Sequence, residues 1–175
     1  MKRKNKTAGK RLSLLLLPFI ATSLCACSEK QQPQSVNLDA PFSCKAEVTK
    51  GDFSCEILIS RDSEGVWQAD FCAPETLSAM TVKGFGESYA IDYMGLSCTT
   101  SVTQLPAGSV VATIASSFEH AGSSDAKLKT ENNRTHASGK IHSGEYDLEL
   151  DEDGNPISLT LGEGFVASFD DFKRE

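Results

Sequence analysis

The sequence has little that would support catalysis or metal binding. Its three histidines do not lie at zinc-ligand spacing from one another or from a cysteine pair, and no CxxC motif occurs. The GxSxG, HExxH and P-loop motifs, which mark serine hydrolases, zinc proteases and nucleotide-binding enzymes, are also missing. We therefore expect a protein that is not an enzyme and that holds no metal and no cofactor.

No apolar run is long enough to form an ordinary transmembrane helix. The run at residues 14–21 falls well short of the roughly 20 residues that a helix needs to cross a bilayer. Six lysines and arginines precede it, and no acidic residue occurs before Glu29. A basic start, a short apolar core and small residues after it are typical of a secretory signal. The sequence thus predicts that residues 1–26 are a signal peptide.

The end of this leader contains a more specific pattern. Residues 24–27, LCAC, resemble the lipobox of bacterial lipoproteins, with Leu24 at position −3, Ala26 at −1 and Cys27 as the residue that receives diacylglycerol. Cys25 fits poorly, because it would place Leu24 at −1. The resemblance implies lipidation of Cys27, which would anchor the protein to the extracytoplasmic face of a cell membrane. An ordinary cleaved signal and an uncleaved anchor are the alternatives.

Removal of residues 1–26 would leave one acidic domain of ordinary size. All 24 acidic residues remain in these 149 residues but only 11 basic ones, so the formal net charge becomes −13. Such a charge argues against binding to nucleic acid. Residues 27–41 are polar and contain two prolines, so we expect a flexible tether. The folded domain is then predicted to span residues 42–175.

Four cysteines fall inside this domain, at Cys44, Cys55, Cys72 and Cys98. Export makes disulfide bonds possible, and four cysteines allow three pairings. Cys44 and Cys55 would lie close together if their segments pair as a hairpin around residues 50–52. The alternative is that cysteines remain free and serve as small core residues.

The hydrophobic pattern predicts a mainly β, α+β fold. Alternation with a period of two begins at Phe42 and continues through about five strands, and about four more strands follow after residue 135. Between them, apolar residues at 110, 111, 114, 115 and 118 predict one amphipathic helix that ends near Gly122. Residues 123–135 are polar and predict a loop with a short strand at 127–130. A single helix cannot cover a flat sheet of 8–9 strands. The antiparallel sheet is therefore expected to curve around the helix or to close into a barrel.

The organisation as a whole resembles a known family. Segments such as GVWQADFCAPETLSAMTV, LPAGSVVATIASSF and YDLELDEDGNPISLTL are similar to those of small extracytoplasmic lipoproteins of Gram-positive bacteria related to the LolA-type lipoprotein carriers. The resemblance implies an unclosed half-barrel of about 8–9 strands. If the single helix fills its concave face incompletely, a lipid or another apolar ligand has room to bind; the alternative is an ordinary hydrophobic core. The apolar strand positions expected to face that ligand are Phe53, Ile57, Trp67, Phe71, Tyr89 and Tyr93.

A second function remains open at this point. The acidic domain could instead be an interaction module that binds another envelope protein and has no ligand cavity. The sequence identifies no such protein partner.

Overall fold

The computed structural model describes residues 36–105 and 109–175 and contains one antiparallel sheet with one α-helix. The helix, α1, is Val110–Gly122. The strands in chain order are β1 Phe42–Lys50, β2 Phe53–Arg61, β3 Trp67–Ala73, β4 Met80–Phe85, β5 Ser88–Tyr93, β6 Leu96–Ser101, β7 Lys127–Glu131, β8 Arg134–Ile141, β9 Gly144–Leu150, β10 Pro156–Leu161 and β11 Phe165–Arg174.

The strand order shows two meanders joined in the middle of the sheet. It runs β6-β5-β4-β3-β2-β1-β11-β10-β9-β8-β7, so the first and last strands are neighbours and β6 and β7 are the two edges. Helix α1 connects β6 to β7, which are consecutive in sequence but lie at opposite edges. The helix therefore crosses one face of the sheet, which we call the inner face, and the sheet curves around it.

The core lies between α1 and the inner face. Inward positions alternate with outward ones along the strands, as at Cys55, Ile57 and Ile59 in β2, which are buried. The helix contributes a buried stripe that includes Ile114 and Phe118. The ring of Phe118 packs against aromatic residues of three strands, with centroid distances of 5.8 Å to Phe42, 5.8 Å to Trp67 and 5.2 Å to Phe169.

The structure confirms the predicted fold class, but residues 36–105 and 109–175 form eleven strands rather than 8–9. The sequence 80–101 forms three strands where two were expected. The additional one, β6, follows a two-residue turn at Met94 and Gly95, whose φ angles are 49° and 83°. A positive φ is uncommon for methionine, so this turn has no recognisable sequence pattern. The short strand expected near residue 127 is present as β7.

Packed residues begin earlier than Phe42. Val36 and Leu38, placed by the sequence in a flexible tether, are buried in the hydrophobic core. The Arg174 guanidinium also donates a hydrogen bond of 3.1 Å to the Asn37 carbonyl, and the Glu175 amide donates one of 3.0 Å to the Pro41 carbonyl. The part of the predicted tether that the structure describes is therefore held against the domain.

Candidate functional site

Four of the six residues expected to face an apolar ligand are buried by the protein itself. Ile57, Trp67, Phe71 and Tyr89 all expose 6% or less of their surface. The Trp67 ring packs edge-on against Phe118, and its indole N–H donates a hydrogen bond of 3.1 Å to Glu119 of the helix. The helix and the sheet thus fill the space beside these side chains, and they form core rather than a ligand-binding surface in this conformation.

Tyr89 is held in place by a glycine on the neighbouring strand. Its ring lies over Gly84, where an added Cβ would be 2.5 Å from the Tyr89 Cε1 atom. Burial is the larger cause of a raised pKa of the Tyr89 hydroxyl, and the nearby negative charge of Glu119 raises it further. The aromatic ring therefore occupies the space that a side chain at position 84 would take, and it covers the inner face at this position.

The remaining two residues lie where the inner face is less covered. Phe53 is 41% exposed, and Tyr93 is half-buried, with its hydroxyl donating a hydrogen bond of 2.7 Å to the Thr76 carbonyl. Leu96 shares the inner face with Tyr93, since the two are paired across β5 and β6, and it is 74% exposed. Met94, in the connecting turn, is 74% exposed as well.

These four side chains lie at turns on the same side of the sheet, and we call them the apolar rim: Phe53, Tyr93, Met94 and Leu96. Phe53 begins β2 just after the β1–β2 turn, and the other three surround the β5–β6 turn, three strands away. The registers place Tyr93 level with Ile57, so Phe53 lies four residues, or about 13 Å, further along the sheet. Exposed apolar side chains along one side of a sheet are candidates for contact with an extended apolar ligand. Met94 and Leu96 could not be predicted as rim residues from the sequence, because the turn between β5 and β6 has no recognisable sequence pattern.

A cavity of about 340 Å³ lies on the other side of the sheet, where β1 and β2 meet β3 and β11. Leu58, which is 53% exposed, forms its apolar part, and Lys45, Lys173, Asp70 and Asp171 add charges of both signs. A β-bulge shapes this cavity, because the β1–β11 register shifts between Ser43 and Lys45 and Asp171 adopts a φ of 53°. The mixture of charges suits a polar surface of a protein better than a lipid chain.

All four domain cysteines are free in the structure. The predicted β1–β2 hairpin forms, but its register places Cys44 opposite Ile59 and Cys55 opposite Val48. The two cysteines are thus four residues out of alignment, which is about 13 Å along a strand and too far for a disulfide bond. Burial raises the pKa of the Cys44 thiol to about 12 and that of Cys55 to about 11, so neither is reactive at neutral pH. Cys72 and Cys98 are exposed.

Polar side chains on the outer face of β8 and β9 pair with one another. His136 Nδ1 lies 2.9 Å from an Asp147 carboxylate oxygen, and the Arg134 guanidinium donates to the Glu149 carboxylate, which holds the pKa of Glu149 below its usual value. On the inner side, His120 Nδ1 lies 2.9 Å from the Tyr146 hydroxyl. Among residues 36–105 and 109–175, no group of three or more metal-ligating side chains comes together.

Comparison with known proteins identifies the fold but no family. No family model matches the chain, and no curated protein does. Among solved structures, an uncharacterized conserved protein from Thermus thermophilus is similar, with a TM-score of 0.55, 10% identity, and 79% of this chain and 81% of that chain covered. The two chains share a fold. A LolA superfamily protein from Nitrosomonas europaea is similar with a TM-score of 0.45 and 9% identity over 79% of this chain and 87% of that chain.

Two further observations concern the membrane. No helix in the described part of the chain is long and apolar enough to cross a bilayer. Cys27, the predicted lipidation site, and Cys25 lie outside the described residues.

Proposed function

We propose that this protein is a non-enzymatic lipoprotein, anchored through Cys27 to the extracytoplasmic face of a bacterial membrane, that binds a lipid or another apolar ligand at the apolar rim. The observation that carries the ligand proposal is the exposure of Phe53 and Leu96 on the inner face and of Met94 in the turn beside Leu96. The lipobox sequence supports the anchor. The mainly β half-barrel provides a rigid support for such a surface.

The rim can supply enough free energy to bind an acyl chain. Burying one large apolar side chain contributes about 1.5–3 kcal/mol, and each methylene of a ligand adds about 0.8 kcal/mol. Since part of the rim is already covered by the protein, the ligand is expected to bind with moderate affinity. The half-buried Tyr93 offers a ring surface, while its hydroxyl is already engaged by Thr76.

A fluorescent fatty acid tests the ligand proposal. Phe53→Ser should weaken its binding about tenfold, because about 1.4 kcal/mol of apolar contact corresponds to a factor of ten in Kd. Phe85→Ser is the matched control, since Phe85 is 62% exposed but lies on the outer face of β4. Equal effects of the two substitutions, or no binding by the unmodified protein, would refute the proposed ligand site.

Metabolic labelling with an alkyne palmitate analogue tests the anchor. The unmodified protein should be labelled and should sediment with membranes. Cys27→Ala should lose both the label and the membrane association, whereas Cys25→Ala should retain them, because Leu24 at −3 and Ala26 at −1 are unchanged. Full labelling of Cys27→Ala would show that the lipobox assignment is wrong.

A protein-interaction module is the second candidate function, and a separate observation favours it. The inner face under α1 is filled, while the outer cavity beside Leu58 carries both charge and apolar surface. In that case Leu58→Ser should reduce capture of an envelope partner, measured by cross-linking in intact cells. Phe53→Ser should leave that capture unchanged, so the two candidate functions respond to different substitutions.

A further inference from the structure

The two edges of the sheet differ in charge. Edge strand β7 carries Lys127, Lys129 and Glu131, and the Lys129 ammonium lies 2.7 Å from the Glu131 carboxylate. Charged side chains on an edge strand discourage pairing with another chain. Edge strand β6, with the sequence LSCTTS, carries no charge, and its residues 96–99 are all exposed.

The absence of charge extends well beyond β6. No lysine, arginine, aspartate or glutamate occurs between Asp92 and Glu119, although 23% of the chain is charged. The residues from 27 onward carry a net charge of −13, so two copies repel each other over most of their surfaces. The β6 edge is a place where two copies can approach without bringing like charges together.

The turn before β6 determines which backbone groups are free. Met94 and Gly95 both have positive φ, as in a type I′ turn, so the flanking Tyr93 and Leu96 exchange hydrogen bonds. The pattern alternates along the ladder, and Cys98 therefore bonds to Ile91 of β5. Ser97 and Thr99 consequently direct their N–H and C=O groups away from β5, toward the open edge.

We propose that β6 pairs with β6 of a second copy as an antiparallel, two-fold symmetric ladder centred on Cys98. Ser97 of each copy then exchanges hydrogen bonds with Thr99 of the other, which satisfies the free edge groups. Leu96 of each copy lies opposite Thr100 of the other, so its exposed side chain gains cover. The inner faces of the two sheets become continuous across the junction.

The proposed register determines the distance between the two Cys98 residues. Because its backbone groups bond to β5, the two Cys98 residues face each other as a non-hydrogen-bonded pair, with Cα atoms about 4.5 Å apart. That separation lies within the range that a disulfide bond spans. A ladder of five residues per strand is a small contact, so we expect a weak dimer that a disulfide bond can trap.

Thiol–disulfide exchange with oxidised glutathione tests the proposal. The full chain with Cys25→Ser and Cys27→Ser is kept in mild detergent. Two Cys98 thiols are oxidised to one disulfide while one oxidised glutathione is reduced to two glutathione molecules, so atoms and electrons balance. We expect covalent dimers linked through Cys98 to form about tenfold faster than dimers linked through Cys72, which is also exposed, because pairing raises the local thiol concentration.

Substitutions at the two edges provide the matched comparison. Thr99→Pro removes an N–H that points away from β5, so it should block pairing and slow dimer trapping about tenfold without breaking the β5–β6 ladder. Thr130→Pro, at the corresponding outward position of β7, should leave trapping unchanged. Labelling of Cys98 by a maleimide should proceed at the same rate in both variants, which confirms that the thiol is still accessible. Equal trapping of Cys72 and Cys98, or undiminished trapping in Thr99→Pro, would overturn the proposal.

Discussion

At the scale of single residues, Cys44 and Cys55 show how a cysteine can serve as core. Both point to the inner face, both are buried, and the β1–β2 register keeps them apart. Their spacing in sequence made a disulfide plausible because the hairpin itself was predictable. The register that excludes the bond depends on the position of the turn at Gly51, whose φ is 57°, and the sequence alone left that position open.

The buried Cys44 thiol makes stability depend on alkaline pH. Its pKa is raised from 9.0 to about 12 in the folded protein, so the unfolded state releases its proton first and the free energy of unfolding falls as pH rises above 9. Between pH 8 and pH 10 the loss from this group should be about 1 kcal/mol. Urea denaturation at both pH values should show a smaller loss for Cys44→Ala than for the unmodified protein. Equal losses would contradict the assignment.

At the scale of elements, helix α1 could be predicted from the sequence, whereas strand β6 could not. The helix follows from apolar residues at 110, 111, 114, 115 and 118, and it lies at Val110–Gly122 as expected. Strand β6 was missed because its short LSCTTS sequence carries only two apolar residues and follows a turn with methionine at positive φ. Edge strands bury little, so little hydrophobic pattern is needed to specify them.

Phe118 joins the helix to the sheet, and its removal should be costly. Its ring is fully buried among Phe42, Trp67 and Phe169, so Phe118→Ala should lower the free energy of unfolding by about 3–5 kcal/mol through lost burial and a cavity. Ser116→Ala, at a half-buried helix position, should change it by less than about 0.5 kcal/mol. Chemical denaturation of both variants measures the difference. Similar small effects would show that α1 does not hold the inner face together.

At the scale of the whole molecule, the protection of the sheet should decrease from its centre to its edges. Strands β1 and β11 are paired on both sides, while β6 and β7 are paired on one side only. Hydrogen exchange of the monomer, measured by mass spectrometry at low protein concentration, should therefore be slowest for peptides from β1, β2 and β11, and fastest for those from β6 and β7. Uniform exchange across the eleven strands would contradict this order.

The fold class could be predicted from the sequence, but whether the inner face is filled or open to a ligand could not. Alternation along each strand shows which side chains point inward, and this held for Ile57, Trp67 and Tyr89. Whether those residues face a ligand or a helix depends on how far α1 and Tyr89 fill the space. How far the space is filled depends on close contacts such as the one between Tyr89 and Gly84. Such contacts arise from packing, and the periodic pattern of the sequence does not reveal them.

The pairing of β1 with β11 in the middle of the sheet determines which end of the sheet lies near both ends of the domain. Phe42 and Arg174 are partners in that ladder, so the chain starts β1 and finishes β11 at the same corner. Phe53 of the apolar rim lies at the far end of β1, a nine-residue strand about 30 Å long. A domain suspended by its N-terminal segment would thus hold Phe53 outward, while a tag fused after Glu175 would lie beside the point of suspension. C-terminal fusions should therefore leave the outward end unobstructed.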